Sequence, residues 1–144
     1  MRADYLNENS GSSFALKRKV EFISADRTLD EDDSGKVYMC DATDGAVAIT
    51  LPTASTGQDG TYYKFIVWEE TPSNAITLAA GSAIVSMVMK DAGGNASNST
   101  VGTQVSNIVI GASAQRGDYV SVMFWGGEWV ADCLSGIDNA VTTS

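Results

Sequence analysis

Hydrophobic and polar positions alternate over short distances in this chain, most clearly between residues 34 and 68. Three runs rich in Val, Ile, Tyr and Phe lie in this block, and no helical pattern comes between them. The first run ends at the turn Asp44-Gly45, the second ends at Leu51-Pro52, and the third begins after Gly60. Each predicted strand therefore has turn residues at its ends. The block predicts a β-meander, which builds a surface rather than a catalytic pocket.

Further strands are predicted on both sides of this block. The segment 91–103 is predicted to be an exposed loop, since Gly, Asn, Ser and Thr dominate it. Gly126-Gly127 predicts a tight hairpin turn, because both central positions of such a turn need positive φ. The other predicted strands are 20–24, 75–78, 83–89, 105–110, 118–125 and 128–134.

The strand predicted at 118–125 carries apolar residues at both parities. Val120, Val122 and Phe124 alternate with Tyr119, Ser121 and Met123. A sheet with one wet face would instead show polar residues at every second position. The pattern therefore predicts that one face packs on the core and the other on a neighbouring chain, which indicates an oligomer.

The predicted fold class is all-β, a single antiparallel β-sandwich or barrel of jelly-roll or tulip-like form, over residues 20–136. Residues 1–19 are interpreted as an extended N-terminal arm, and 137–144 as a flexible C-terminal tail. The arm has too little apolar surface to order itself, so it either docks on another chain or stays disordered. Its candidate interface residues are Tyr5, Leu6, Phe14, Leu16, Lys17, Arg18 and Lys19.

Charge and hydropathy narrow the classes of partner. The formal net charge is −9, and Lys17, Arg18 and Lys19 form the only basic cluster. Nucleic acid and anionic membranes are therefore not expected partners, because binding either of them needs clustered Lys and Arg. No apolar run approaches the roughly 20 residues of a membrane span. The first residues also lack the pattern of a secretory signal.

Candidate catalytic chemistry is sparse. The chain has no histidine, which excludes Ser-His-Asp and Cys-His arrangements and His-bearing zinc sites. Cys40 and Cys133 are expected to be buried thiols, although a bridge between adjacent strands is the alternative. The turn 30–35 partly matches a calcium loop, but a plain acidic turn is the preferred interpretation, since a strand follows it. We expect no enzymatic activity, no cofactor and no metal.

The aromatic residues allow two interpretations. Large rings in predicted strands usually fill a core or a subunit interface, and this is the favoured interpretation. A platform on which a sugar stacks is the alternative. The residues concerned are Tyr62, Tyr63, Trp68, Trp125 and Trp129.

The order of motifs over about residues 28–136 resembles a small β-domain of tailed-bacteriophage virions, found in head decoration (cement) proteins and in some tail-fibre or spike segments. The resemblance lies in SGKVYMCDATDGAVAITLP, YYKFIVW, AITLAAGSAIV and GDYVSVMFWGGEWVADCLSG. It implies a homotrimer or other small oligomer on the capsid exterior, with an arm reaching the major capsid protein and no catalytic residues. A receptor-binding or tail-fibre tip domain that contacts a host glycan is the alternative.

Overall fold

The computed structural model describes residues 18–53, 58–70, 72–90 and 100–144, with side chains described except at 81–83, 85–90 and 100–104. Strands dominate these residues, and one 3₁₀ turn at Glu31–Asp33 is present. The strands are β1 Val20–Ile23, β2 Arg27–Thr28, β3 Val37–Cys40, β4 Val47–Leu51, β5 Tyr62–Val67, β6 Ile76–Lys90, β7 Thr100–Ile110, β8 Tyr119–Trp125, β9 Glu128–Leu134 and β10 Val141–Thr143.

The strands form two mixed sheets of five strands each, in a sandwich that does not close into a barrel. One sheet has the order β1-β3-β5-β8-β9, and we call it the front sheet. The other, the back sheet, contains β2, β4, β6, β7 and β10. The long strand β6 belongs to the back sheet through its first half, and its second half pairs with β9. The two sheets are therefore joined by hydrogen bonds along β6.

The core lies between the inner faces of the two sheets. Every second residue of each strand points inward, so β4 buries Val47, Ile49 and Leu51 and exposes the residues between them. The front sheet supplies an aromatic cluster in which Tyr38 stacks on Phe65, with ring centroids 5.5 Å apart. The remaining large rings of this cluster are Tyr63, Phe124 and Trp129.

The all-β sandwich class predicted from the sequence is confirmed, but the predicted strand directions are wrong. Residues 34–68 do not form a meander, since β3 pairs with β5 in parallel and β4 lies in the opposite sheet. Five of the strand pairs in the described chain are parallel and four are antiparallel. Consecutive apolar strands here fill the core from opposite sides, which requires crossings between the sheets rather than hairpins.

The end of the chain also differs from the prediction. Residues 137–144 were expected to be a flexible tail, yet β10 pairs antiparallel with β7. Ala140 and Val141 are buried, and Gly111 N–H donates to the Ala140 carbonyl at 2.7 Å. Two apolar side chains are enough to dock this segment, because the adjoining strand supplies its backbone partners.

Two of the other predicted boundaries differ from the structure. The runs 75–78 and 83–89 are parts of the single strand β6, and β7 begins at Thr100, inside the segment predicted to be a loop. Residues 91–99 of that predicted loop lie outside the described residues. The hairpin turn between β8 and β9 is confirmed, since φ is 61° at Gly126 and 92° at Gly127.

Candidate functional site

The outer face of the front sheet is apolar. Large hydrophobic side chains that are exposed in the described part of the chain all point outward from this sheet. Trp125 is 64% exposed and Phe22 is 56% exposed, values unusual for such rings in a soluble domain. The full set is Val20, Phe22, Trp68, Met123, Trp125, Val130 and Leu134. We call this surface the apolar face.

The strand registers arrange these side chains in rows across the sheet. Phe22 lies opposite Met39, Met39 opposite Ile66, Ile66 opposite Tyr119, and Tyr119 opposite Leu134. One apolar row therefore runs across all five strands. Neighbouring strands lie about 4.8 Å apart, so the row is about 20 Å long.

The outward side chains of β8 and β9 supply much of the apolar face. In β9, Trp129, Ala131 and Cys133 are buried, while Val130 and Leu134 point to solvent. Both parities of the strand thus carry apolar residues, and the acids Glu128 and Asp132 share the outward side with them. The sequence-based expectation that the strand at 118–125 carries apolar side chains on both faces is confirmed as geometry in β8. The structure adds Val130 and Leu134 on β9 and Val20 and Phe22 on β1, which the sequence pattern did not single out.

Polar groups share the outer side of the front sheet with these apolar side chains. The Lys64 ammonium lies over the Tyr119 ring, 3.8 Å from its centroid, and the Tyr62 hydroxyl donates to Ser121 Oγ at 3.3 Å. Lys64 is therefore a cation in the middle of the face, and the Tyr119 ring stabilises its charge. Asp132 on β9 is exposed and points to the same side.

A cation also covers Trp68 at the end of β5. The Arg116 guanidinium lies 5.2 Å from the ring centroid, and Arg116 Nε donates to the Trp68 carbonyl at 2.5 Å. An ion pair with Glu70 at 3.7 Å holds the other end of the guanidinium. Trp68 is therefore held in place while it remains 47% exposed.

The back sheet provides the contrast. Its outward positions carry small or polar side chains, and Val109 is the largest apolar one among those described. The positions are Thr28, Ala48, Thr50, Thr77, Ala79, Asn107, Val109 and Thr142. Only one of the two described outer faces therefore has the composition of a protein contact surface.

The predicted interface residues of the N-terminal arm are placed only in part. Tyr5, Leu6, Phe14, Leu16 and Lys17 lie outside the described residues. Arg18 and Lys19 are exposed at the start of β1, and the Lys19 carbonyl accepts a hydrogen bond from Val37 N–H at 2.9 Å. The described chain thus begins at the edge strand of the sheet that carries the apolar face.

The aromatic residues divide between the two interpretations. Tyr63 and Trp129 are fully buried in the core, as favoured from the sequence. Trp68 and Trp125 are exposed on the apolar face, and Tyr62 lies half-buried on the same face. These three rings are available to a partner.

The acidic turn is used for structure. Asp30 caps the 3₁₀ turn, and Asp33 forms an ion pair with Lys36, which also bonds Glu21 at 2.6 Å. Burial opposes ionisation of Asp33, but the Lys36 hydrogen bond, the Asp30 N–H and the charges of Lys36 and Arg27 outweigh it and lower its pKa. In the described residues no three Asp, Glu, Cys or His side chains group in a way that could hold a metal ion.

A second carboxylate is buried at the end of the front sheet. Glu69 is 7% exposed and accepts hydrogen bonds from Ala42 N–H at 2.8 Å and from the Thr43 hydroxyl at 2.5 Å. Burial and the neighbouring Asp41 carboxyl raise the pKa of Glu69, while the hydrogen bond with Glu69 lowers the pKa of Asp41. The pair is enclosed by backbone donors, which makes it a brace for the loop after β3.

No disulfide joins Cys40 and Cys133, and both are buried. Burial raises the pKa of Cys40 to about 12, so its thiol stays protonated and unreactive near neutral pH. A shallow depression of about 460 Å³ lies between Ser24 and Ala46, and its two acids, Asp26 and Asp44, have no cysteine, lysine or arginine beside them in its lining. Neither feature gives the described residues a reactive centre.

Compared with known protein families and with curated proteins, the chain matches none of them. The described residues contain no helix that is long and apolar enough to cross a membrane. The apolar face is the feature of the described residues that suits contact with a partner.

Proposed function

We propose that the chain is a non-enzymatic structural protein that decorates the exterior of a tailed-phage capsid and binds the major capsid protein. The observation that carries a contact role is the collection of exposed large apolar side chains on one sheet face. Such a face is costly to leave in water, at about 25 cal/mol for each Å² of apolar surface. The location on a capsid rests on the sequence resemblance.

A decoration protein acts by burying surface area against the shell. Contacts that form only with the mature shell stabilise that shell by mass action, in the same way that a ligand stabilises the state it binds. If several copies are joined, their arms act together, because the first attachment raises the effective concentration of the others. Weak contacts by Tyr5, Leu6, Phe14 and Leu16 then suffice for firm attachment.

Removal of residues 1–19 tests the attachment. The truncated chain and the full chain are each mixed with shells of the encoding phage from which the protein has been stripped, and the bound fraction is measured by sedimentation. We expect binding to be lost while the circular dichroism spectrum of the domain is kept. Retained binding by the truncated chain would assign attachment to another surface.

A receptor-binding or fibre-tip role is the second candidate, and the exposure of Trp125 and Trp68 favours it, since such rings can stack on a sugar. Quantitative mass spectrometry of purified virions separates the two roles. Hundreds of copies per particle indicate decoration, whereas a few copies at the tail indicate adsorption. Loss of host polysaccharide binding in Trp125→Ala would support the second role.

A further inference from the structure

The first and last strands of the front sheet, β1 and β9, carry opposite charges on the side of the apolar face. Arg18 is exposed at the start of β1, one edge strand of this sheet. Asp132 and Glu128 point to the same side from β9, the last strand of the same sheet. The apolar side chains lie on these two strands and on the strands between them.

The registers also place these charges within one two-residue step of the same height. Val20 is level with Val37, Lys64, Ser121 and Asp132 through four successive strand pairs. Arg18, two residues earlier, is by the same count level with Val130, which lies between Asp132 and Glu128 in β9. One step of two residues spans about 6.6 Å, within the reach of an arginine side chain.

We propose that a second copy of this chain covers the apolar face, related by a rotation axis that runs along the strands. This inference rests on the proposed contact role and names the partner of the same surface. Such an axis keeps heights unchanged and brings β1 of one copy beside β9 of its neighbour. It therefore sets Arg18 next to Asp132 and Glu128 of the neighbouring copy while the apolar rows pack together.

An axis across the strands has the opposite consequence. It brings β1 onto β1 and β9 onto β9, so that basic edges meet each other and acidic edges meet each other. With a net charge of −9 on each chain, acidic edges in contact add to a repulsion that already exists. Charge complementarity thus selects the axis that runs along the strands.

The size of the face fits a reversible assembly. Five strands at about 4.8 Å and four rows at about 6.6 Å give a footprint of about 600 Å² on each copy before side-chain relief is counted. Specific interfaces bury about 800 Å² on each partner, so this one is at the small end of the range. Lys64 enters this footprint already paired with the Tyr119 ring, which reduces the cost of removing it from water.

Mass measurement of the full chain by light scattering over a range of concentrations tests the self-association. We expect two or three times the 15.1 kDa of one chain. Val130→Asp places a charge on the apolar face and is expected to shift the mass to that of the monomer. Val109→Asp, the same change on the outer face of the back sheet, is the matched control and is expected to leave the mass unchanged.

Charge exchange tests the direction of the axis. Arg18→Glu and Asp132→Arg are each expected to weaken self-association by roughly tenfold, and the double variant is expected to recover most of the loss. Stronger association in Arg18→Glu would mean that β1 lies against β1 and would overturn the geometry. Single reversals without effect, or a double variant that stays weak, would overturn it as well.

The outcomes also separate this inference from the proposed function. A full chain that stays monomeric at its highest soluble concentration, yet binds stripped shells, overturns the pairing and leaves the decoration role standing. A chain that associates as expected but binds no shell overturns the decoration role alone. Unchanged circular dichroism of Val130→Asp shows that its change in mass does not come from unfolding.

Discussion

Replacement of Asp118 by Ala is expected to destabilise the domain strongly. Its carboxylate is 7% exposed and lies where β8 begins and where the chain leaves β9. Oδ2 accepts from Gln115 N–H at 2.9 Å and from the Ser135 hydroxyl at 2.8 Å, and Oδ1 accepts from Gly136 N–H at 2.8 Å. One side chain thus closes the end of the hairpin that carries Val130 and Trp125.

The size of the loss follows from these three donors. Hydrogen bonds to a charged group contribute roughly 1.5–3 kcal/mol each, and two of these donors are backbone N–H groups that lose their partner. The Ser135 hydroxyl can rotate to the Ile137 carbonyl, which it already contacts at 2.9 Å, so its loss is smaller. We expect Asp118→Ala to lower the free energy of unfolding by about 3–5 kcal/mol.

Equilibrium denaturation in urea, at one fixed protein concentration, measures this loss. Asp26→Ala is the control, because Asp26 accepts one backbone hydrogen bond, from Ala48 N–H at 2.8 Å, at an exposed site. It is expected to cost about 0.5–1.5 kcal/mol. Asp118→Asn should also be costly, since its amide N–H₂ must face at least one of the two backbone donors. A cost for Asp118→Ala equal to that of Asp26→Ala would refute the reasoning.

Three further predictions concern titrating and turn residues. Burial raises the pKa of Glu69 in the folded state, so the parent chain loses stability as the pH rises through that pKa. Gln cannot ionise, so the free energy of unfolding of Glu69→Gln relative to the parent should rise between about pH 4 and about pH 7 in urea denaturation. A difference between the two that stays constant with pH would contradict this. Lys36→Met leaves Asp33 buried without its main cation, so it should cost more stability at about pH 7 than at about pH 3, where Asp33 can fold protonated; an equal cost at both would count against the ion pair. Gly126→Asn should be tolerated at φ 61°, whereas Gly127→Ala at φ 92° should cost about 1–2 kcal/mol in thermal or urea unfolding, and equal effects would argue against the turn geometry.

The strands themselves were largely predictable from the sequence. β8 and β9, joined by Gly126-Gly127, have the predicted bounds within one residue. Alternation and turn residues act locally, and local chemistry decides where a strand starts and stops. The strand pairing was not predictable in this way, because it depends on which strands the crossings bring together in space. β10 was missed since a three-residue strand has no period to detect, and only docking on β7 defines it.

The candidate site was also predictable only in part. The sequence indicated that β8 has two apolar faces, and the structure extends that property across the sheet to Val20 and Phe22. No local pattern joins β1 to β9, since more than 100 residues separate them in the chain. Their place as the first and last strands of one sheet, with opposite charges within two residues of the same height, comes from the registers of four strand pairs.

The amino-acid sequence by itself therefore determined the all-β class, the absence of histidine-based chemistry and the positions of most strands. The tertiary structure decided that the sheets are mixed, that the exposed apolar side chains collect on one outer face, and that Asp118 closes the end of a hairpin. The physical reason is that side-chain alternation is encoded over a few residues. Which faces meet is instead set by long-range packing, in which each strand takes the position that buries its inner residues in the shared core.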